Sequence, residues 1–273
     1  MYESHWRLRR KPFAEWADAR DYYPAETHQA ALLKLRYAIE NRRGAAVLAG
    51  PSGVGKTLVA RMLRDHLPED VRPIAHLVFP QMPTAELLAY LAAELGAGTG
   101  DAAKPSIDAS VRRIQNRLVQ NAELGYHAVL IIDEAHLIDG GQTFDALRLL
   151  LNFENAAGPH ATLILVGQTG LLPALGRMPQ LDERLAVKCL LKPLDLEETM
   201  SYVQHRLAVA GAERTIFEPA ATEVLHQLTG GSPRQINRLC DLALLVGFAE
   251  ELESIGAEQI EAVSRDLVAV SAD

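Results

Sequence analysis

Two short stretches of this sequence have residue types and spacing that suit phosphate chemistry. The first stretch is rich in glycine. Together with the residue that follows it, it comprises Gly50, Pro51, Ser52, Gly53, Val54, Gly55, Lys56, Thr57 and Leu58. It fits the pattern GxxxxGK[ST], in which backbone N–H groups wrap around phosphate oxygens. In this pattern the lysine reaches the β- and γ-phosphates and the hydroxyl ligates Mg²⁺. We therefore predict that residues 50–58 bind a nucleoside triphosphate and that Thr57 is a metal ligand.

The second stretch is a pair of acids at the end of an apolar run, residues 128–132. Such a run is typical of a central parallel strand, and ligands of open α/β sheets bind at the carboxyl ends of the strands. We predict that Asp133 holds Mg²⁺, directly or through water, and that Glu134 is the general base that activates the attacking water. The string that ends in His136 also occurs in RNA helicases, which need two tandem motor domains for which this chain has no room. We therefore interpret His136 as a local loop residue.

A polar residue, Gln168, also follows the next apolar run, which comprises residues 162–167. On a strand beside the acidic one, the amide of Gln168 can sense the γ-phosphate and orient the attacking water. The alternative is a turn residue that only caps the strand.

The elements that must position these residues alternate along the chain. Apolar runs predict strands at 45–49, 74–79, 128–132, 162–166 and 187–191. Helical spacing of apolar residues predicts helices at 27–43, 58–66, 84–95, 107–125 and 142–157. Strands that alternate with helices are typical of a parallel sheet covered on both faces. We therefore predict an α/β P-loop NTPase fold, with a parallel five-stranded sheet sandwiched by helices.

The last third of the chain predicts helices and no strands. Apolar periodicity marks four helices, of which the third has Ser232 as its cap and Pro233 at its first position. We predict three parts: residues 1–43, an arm and first helix packed on the ATPase core; residues 44–192, the nucleotide-binding domain; and residues 193–273, a four-helix lid.

Composition and charge limit the classes of partner. The formal net charge is −8, and residues 193–273 hold 14 Asp or Glu against 5 Lys or Arg. Strong non-specific nucleic-acid binding usually needs a basic face, so DNA binding by this last third is disfavoured. DNA binding elsewhere stays open because of the basic residues Arg7, Arg9, Arg10, Lys11, Arg42 and Arg43. No apolar run nears the roughly 20 residues that span a bilayer, and no secretory signal is recognisable, so we expect a cytoplasmic protein.

As a whole, the sequence resembles the AAA+ ATPases, essentially from end to end. GPSGVGKT is similar to their Walker A motif and VLIIDE to their Walker B motif. The resemblance implies that Gln168 is sensor 1 and that Arg234, in Gly-Ser-Pro-Arg, is sensor 2, which touches the γ-phosphate. It implies that Arg184, before the fifth strand, is an arginine finger for the neighbouring subunit's nucleotide, with Arg177 as the alternative. ATP, Mg²⁺ and a homo-oligomeric ring or filament follow from the same resemblance.

Within the AAA+ ATPases, the sequence is most similar to the ExeA/GspA group of secretion-pathway ATPases and the related pilus-biogenesis ATPases. The likeness rests on the strings MYESHWRLRRKPF, VGQ with TGL, ERLAVKCLLKPL, YVQHRLAVAG and PRQINRLCDLAL. The segment AEWADARDYYP lacks the group's usual Pro-Asp-Pro, and the transmembrane and peptidoglycan-binding parts of longer members do not follow the lid. We therefore expect any envelope target to be reached through a partner protein, which could also recruit this chain to the inner membrane.

The resemblance leaves three functions open. The first is an ATPase that hydrolyses ATP at subunit interfaces to drive assembly or remodelling of a secretion or pilus-type envelope machine. The second is a DNA-binding ATPase that regulates transposition, similar to TnsC and TniB. The third is a nucleotide-dependent scaffold, which Glu134 disfavours because a scaffold needs no acid to activate water. We favour the first, since the predicted lid is acidic and the isoelectric point is near 5.6.

Overall fold

A parallel sheet carries the phosphate loop, both acids and Gln168 at its carboxyl edge. The computed structural model describes residues 1–14, 22–98 and 105–270. The strands in these residues are β1 (Ala45–Ala49), β2 (Val71–Leu77), β3 (His127–Ile132), β4 (Glu154–Asn155), β5 (Gly158–Pro159), β6 (Ala161–Gly167) and β7 (Leu185–Leu190). Five of them form one sheet in the order β2-β3-β6-β1-β7, and its strand pairs are all parallel. The predicted parallel five-stranded sheet is therefore confirmed.

The helices are interspersed with the strands up to β7 and then continue alone. They are α1 (Glu26–Glu40), α2 (Lys56–Asp65), α3 (Thr84–Glu94), α4 (Ile107–Glu123), α5 (Gly141–Leu150), α6 (Leu171–Gly176), α7 (Pro179–Asp182), α8 (Leu196–Val209), α9 (Pro219–Thr229), α10 (Pro233–Ala249) and α11 (Ala257–Val270). The four helices predicted in the last third are thus present. None of the helices in the described ranges is both long and apolar enough to cross a membrane.

The contacts divide the chain into two units. The α/β unit comprises Thr27–Ser52 and Lys56–Leu191, and the helical unit comprises Met1–Glu26, Gly53–Gly55 and Lys192–Asp273. In the α/β unit, every residue of β1, β3 and β6 is buried. Strands that are covered on both faces read as continuous apolar runs, which explains why these three were recognisable in the sequence.

The N-terminal arm groups with the helical unit. Trp6 is fully buried, and its indole Nε1 donates a hydrogen bond to the backbone oxygen of Leu244 over 2.9 Å. Arg206 is 3% exposed, and its Nε donates to the oxygen of Pro12 over 2.7 Å. This grouping differs from the prediction that residues 1–43 pack as one part on the ATPase core. Buried aromatic side chains in the arm supply apolar surface that the small helical unit uses for its own core.

Two stretches of the α/β unit differ from the prediction. The helix predicted at 142–157 ends at Leu150, and the short strands β4 and β5 form an antiparallel hairpin after it. The side chain of Asn155 accepts a hydrogen bond from the N–H of Ala157, a local bond by which asparagine favours turns. The helices α6 and α7 were not predicted, because both are short. Most of the AEWADARDYYP segment lies outside the described residues.

Candidate nucleotide-binding site

The glycine-rich loop joins the end of β1 to the start of α2. Gly53 and Gly55 have φ values of 79° and 96°, in the left-handed region where glycine is favoured over residues with a side chain. Helix α2 begins at Lys56, so its first N–H groups and the positive end of its dipole would stabilise an anion bound in the loop. The sequence prediction of a strand, loop and helix in this order is confirmed.

The side chain of Lys56 is buried against the backbone of the phosphate loop. Its side chain is 7% exposed, and Nζ donates hydrogen bonds to the backbone oxygens of Gly50 over 3.0 Å and Pro51 over 2.8 Å. These carbonyl groups hold the ammonium group at the phosphate loop, where its charge complements an anion. Gly50 in turn donates its N–H to the oxygen of Gly167 over 3.2 Å, which links the loop to the end of β6.

Thr57 and Asp133 meet at the carboxyl edge of the sheet. The Thr57 hydroxyl donates to Oδ2 of Asp133 over 2.9 Å, and Oδ1 of Asp133 accepts from the N–H of Glu134 over 2.8 Å. Asp133 is 1% exposed, and its own N–H donates to the oxygen of Leu77 over 2.8 Å. A hydroxyl oxygen beside a carboxylate oxygen is a donor set that suits Mg²⁺. The residues present therefore fit the metal.

The described residues contain no cluster of three or more His, Cys, Asp or Glu that could hold a metal alone. Mg²⁺ usually needs no such cluster, because it binds through one or two carboxylates, substrate phosphates and water.

Glu134 has a strained backbone and a side chain that reaches solvent. Its φ and ψ of 51° and 32° are left-handed, which costs a residue other than glycine about 1–2 kcal/mol. A 3-10 turn, Ala135–Leu137, directly follows Glu134. The Glu134 side chain is 39% exposed. Its Oε2 lies 3.3 Å from Nδ1 of His136. The carboxylate is therefore accessible to water at the same edge of the sheet as Asp133.

Gln168 follows β6, which pairs with β1 on one side and with β3 on the other. The prediction that its strand lies beside the acidic strand is confirmed, and the strand also lies beside the one that leads into the phosphate loop. The Gln168 side chain is exposed, and its backbone N–H points to Nδ1 of His136 over 3.4 Å. The phosphate loop, both acids and Gln168 thus come together at one edge.

Arg234 and the middle of the phosphate loop both belong to the helical unit. The N–H of Arg234 donates to the oxygen of Gly53 over 3.2 Å. A Cβ atom on Gly53 would lie 2.9 Å from the hydroxyl oxygen of Ser232 and 3.0 Å from Cβ of Arg234, so only glycine fits there. Within the helical unit, the backbone of Arg234 therefore lies against Gly53. The contact of Arg234 with a γ-phosphate stays a prediction.

Of the two candidate arginine fingers, Arg184 lies apart from this edge. Arg184 immediately precedes β7, and its Nη2 donates to Oδ1 of Asn152 over 2.9 Å. Its backbone oxygen accepts from the N–H of Ala45, the first residue of β1, whereas the phosphate loop follows the last. At about 3.3 Å per residue, the five-residue strand puts roughly 15 Å between these two edges. Arg177 is exposed at the end of α6.

His136 is the site residue that the sequence interpretation missed. It was interpreted as a local loop residue, but its ring lies against both Glu134 and the backbone of Gln168. Its place two residues after the acid was visible in the sequence. Its contact with the end of β6 depends on strand pairing, which a local pattern does not show.

A comparison with known protein families shows the family to which the chain belongs. The family described as "AAA domain" matches residues 39–175, half of the chain, and the match includes the phosphate loop, both acids and Gln168. This chain belongs to the AAA domain family. The predicted resemblance to AAA+ ATPases and the predicted P-loop fold are thereby confirmed.

One curated relative of this AAA protein is "General secretion pathway protein A" of Aeromonas hydrophila. The two are 35% identical over 253 residues, which cover 91% of this chain and 45% of the relative. The chain therefore spans about half the length of the curated relative that it matches.

Solved structures of low sequence identity share the fold of this AAA protein. The ORC2 protein of Aeropyrum pernix, in ADPNP-ADP complexes, matches with a TM-score of 0.69 at 15% identity. The matched region covers 94% of this chain and 71% of the ORC2 chain. A chain of Drosophila ORC bound to DNA matches with a TM-score of 0.70 at 16% identity. The matched region covers 97% of this chain and 66% of that ORC chain.

Proposed function

We propose that this AAA protein binds ATP with Mg²⁺ and hydrolyses it to drive assembly or remodelling of a partner protein complex. The observation that carries this proposal is the 2.9 Å hydrogen bond between the phosphate-loop hydroxyl of Thr57 and the buried carboxylate of Asp133. It brings together the two oxygens that we propose as metal ligands, with Glu134 next in the chain. A protein that only bound nucleotide would not need Glu134 at this edge.

Each residue has a separate task in the proposed reaction. Lys56 and the loop N–H groups bind the β- and γ-phosphates, and Thr57 and Asp133 hold Mg²⁺. When bound, Mg²⁺ neutralises charge on the phosphate oxygens. Glu134 accepts the proton of the attacking water, and Gln168 orients that water. Removal of the γ-phosphate ends its proposed contacts with Gln168 and Arg234, and this change of contacts would drive the mechanical work.

An arginine from a neighbouring subunit completes the proposed site. Such a residue stabilises the charge of the transition state, so hydrolysis would depend on assembly of a homo-oligomeric ring or filament. We propose Arg184 for this role, with Arg177 as the alternative. The position of Arg184 at the amino end of β7 supports action on another chain rather than on its own phosphate loop.

We propose a protein complex of the cell envelope, of the secretion or pilus type, as the client. The 35% identity to "General secretion pathway protein A" extends over most of the present chain and supports this choice. The excess of acidic residues in 193–273 disfavours nucleic acid as the client of that part. We further propose that the chain works in the cytoplasm and reaches the membrane through its partner.

The proposal is tested by ATP binding and hydrolysis in three variants. Lys56→Ala should abolish nucleotide binding, because it removes the cation from the phosphate loop. Glu134→Gln should bind ATP normally but hydrolyse it at least ~10²-fold more slowly, since the amide cannot accept the proton. Lys34→Ala changes an exposed lysine on α1 and should behave as wild type. Normal turnover in the Glu134→Gln variant would overturn the assignment of the base.

A DNA-binding regulator is the second candidate. It is favoured by the basic residues of the arm, of which Arg7, Arg9 and Lys11 are exposed, and by the fold shared with Drosophila ORC bound to DNA. The hydrolysis rate per subunit should be measured against protein concentration, with and without duplex DNA, at about 150 mM salt to suppress non-specific charge binding. A rate that rises with concentration and ignores DNA supports the protein client, whereas strong stimulation by DNA supports the second candidate.

A further inference from the structure

One ring nitrogen of His136 lies within hydrogen-bond range of two groups at the candidate site. Its Nδ1 is 3.3 Å from Oε2 of Glu134 and 3.4 Å from the backbone nitrogen of Gln168. The His136 side chain is 18% exposed and the Glu134 side chain 39% exposed. The histidine is therefore the more sheltered partner, and it lies between the acid and the end of β6.

Two backbone features bring the ring to this position. The left-handed conformation of Glu134 and the 3-10 turn after it fold the chain so that residues 134 and 136 face each other. Gly167 then leaves room for the histidine. A Cβ atom on Gly167 would lie 3.2 Å from the backbone nitrogen of His136, 3.4 Å from its Nδ1 and 2.9 Å from Cδ2 of Leu171. A side chain at position 167 would therefore press against Leu171 and against the backbone of His136, which carries the ring.

The two contacts of Nδ1 require opposite states of that atom. With a proton, Nδ1 donates to the Glu134 carboxylate; without one, it accepts from the N–H of Gln168. Donation to a carboxylate is charge-assisted and is the stronger of the two bonds. The carboxylate and the end of β6 therefore compete for one atom of His136.

We propose that His136 is a positioning residue, which holds the Glu134 carboxylate for water activation and couples it to the strand end that carries Gln168. This inference rests on the proposed function, because it gives Glu134 its orientation in that reaction. A long carboxylate side chain has several rotamers, and a donor at a fixed place selects one of them. In this role His136 acts through Glu134 and not directly on the nucleotide or the water.

The test compares His136→Ala with His136→Asn in the full chain. Asparagine can place its amide nitrogen near the position of Nδ1 and so keeps a donor, whereas alanine removes it. His136→Ala should lower kcat for ATP hydrolysis by about 10–100-fold, the usual effect of losing a group that orients a site residue. KM for ATP and the affinity for a non-hydrolysable ATP analogue should not change. His136→Asn should recover most of the lost kcat.

A double variant separates positioning from a general structural effect. If His136 acts through Glu134, then adding His136→Ala to Glu134→Gln should cause no further loss in single-turnover hydrolysis. A further loss of the same size as in the wild-type background would overturn the proposal. So would a His136→Asn variant as slow as His136→Ala, or a His136→Ala variant with normal kcat. Normal turnover in Glu134→Gln alone would instead overturn the assignment of the base, and with it this inference.

Discussion

The hydroxyl of Thr57 donates to Oδ2 of Asp133 over 2.9 Å, although the two residues are 76 positions apart in the sequence. This bond joins the first turn of α2 to the end of β3, and it defines the proposed Mg²⁺ site. Thr57→Val keeps the size of the side chain but removes the hydroxyl. We expect the dependence of ATP hydrolysis on Mg²⁺ concentration to shift by about 10–100-fold towards higher Mg²⁺.

Thr57→Ser is the matched control, because it retains the hydroxyl and should hydrolyse ATP at wild-type Mg²⁺ concentrations. Nucleotide binding without Mg²⁺ should be similar in both variants. A Thr57→Val protein with unchanged Mg²⁺ dependence would exclude Thr57 as a ligand of the metal.

The proposed action of Arg184 on a neighbouring subunit predicts complementation between two inactive proteins. Arg184→Ala should hydrolyse ATP about 10³-fold more slowly or worse, as expected for loss of an arginine finger. Glu134→Gln keeps the arginine but lacks the base. In a mixture, a subunit with an intact Glu134 can receive an intact Arg184 from its neighbour, so the mixture should be faster than either protein alone.

Arg177→Ala is the comparison for this experiment, since Arg177 is the alternative finger. Wild-type hydrolysis by Arg177→Ala together with complementation by Arg184→Ala would assign the role to Arg184. The reverse pattern would assign it to Arg177, and loss of activity without complementation would exclude action between subunits.

A buried histidine predicts loss of stability in acid. Burial, together with the smaller effects of the nearby Arg42 and His160, lowers the pKa of His127 from its usual 6.5 to about 4. Nε2 of His127 is 2.8 Å from the Thr162 hydroxyl, which itself donates to the oxygen of Arg43, so Nε2 must be the donor. Among the described residues, Nδ1 of His127 has no partner that could accept a second proton.

The sign of the effect follows from the two pKa values. Below pH 6.5 the unfolded chain binds a proton at His127, whereas the folded protein does not until the pH reaches about 4. The free energy of unfolding should therefore fall between these values, by up to about 3 kcal/mol for this residue. His127→Gln keeps a donor for Thr162 but cannot titrate, so its urea-unfolding free energy should depend less on pH. His66→Gln, at an exposed position, should follow wild type, and an equally steep profile for His127→Gln would contradict the prediction.

The contact between the arm and α10 predicts a defined packing defect. A Cβ atom on Gly247 would lie 2.8 Å from Cζ2 of Trp6, whose ring is fully buried. Gly247→Ala should lower the free energy of unfolding by about 1–3 kcal/mol through overpacking, despite the better helix propensity of alanine. Urea titrations followed by circular dichroism would measure the change.

Gly176→Ala is the control, because no atom lies within 4 Å of a Cβ atom at that helical position. It should leave stability unchanged or increase it slightly. Adding Trp6→Phe to Gly247→Ala should cost less than the sum of the two single changes, since the smaller ring relieves the overlap. Additive costs would show that the two residues do not clash.

The sequence alone predicted the strand, phosphate loop and helix that carry Lys56 and Thr57, and the buried strand that ends at the two acids. Local patterns were sufficient here, because loop glycines, Lys56 and Thr57 lie within eight residues and the strands of the sheet centre are continuous apolar runs. The number of strands in the sheet and the four helices of the last third followed from the same periodicities. The short hairpin β4–β5 did not, since two-residue strands have no periodicity to detect.

Only the tertiary structure decided which of these local pieces meet. The insertion of β6 between β1 and β3 depends on backbone pairing with a strand more than a hundred residues away in the sequence, and it brings the end of β6, with Gln168, to His136. The arm groups with the helical unit because Trp6 is buried in the core of that unit. The spacing of apolar residues in the arm does not predict this location. Side-chain periodicity records whether a residue is buried, because burial constrains residue type; it does not record the partner against which the residue is buried.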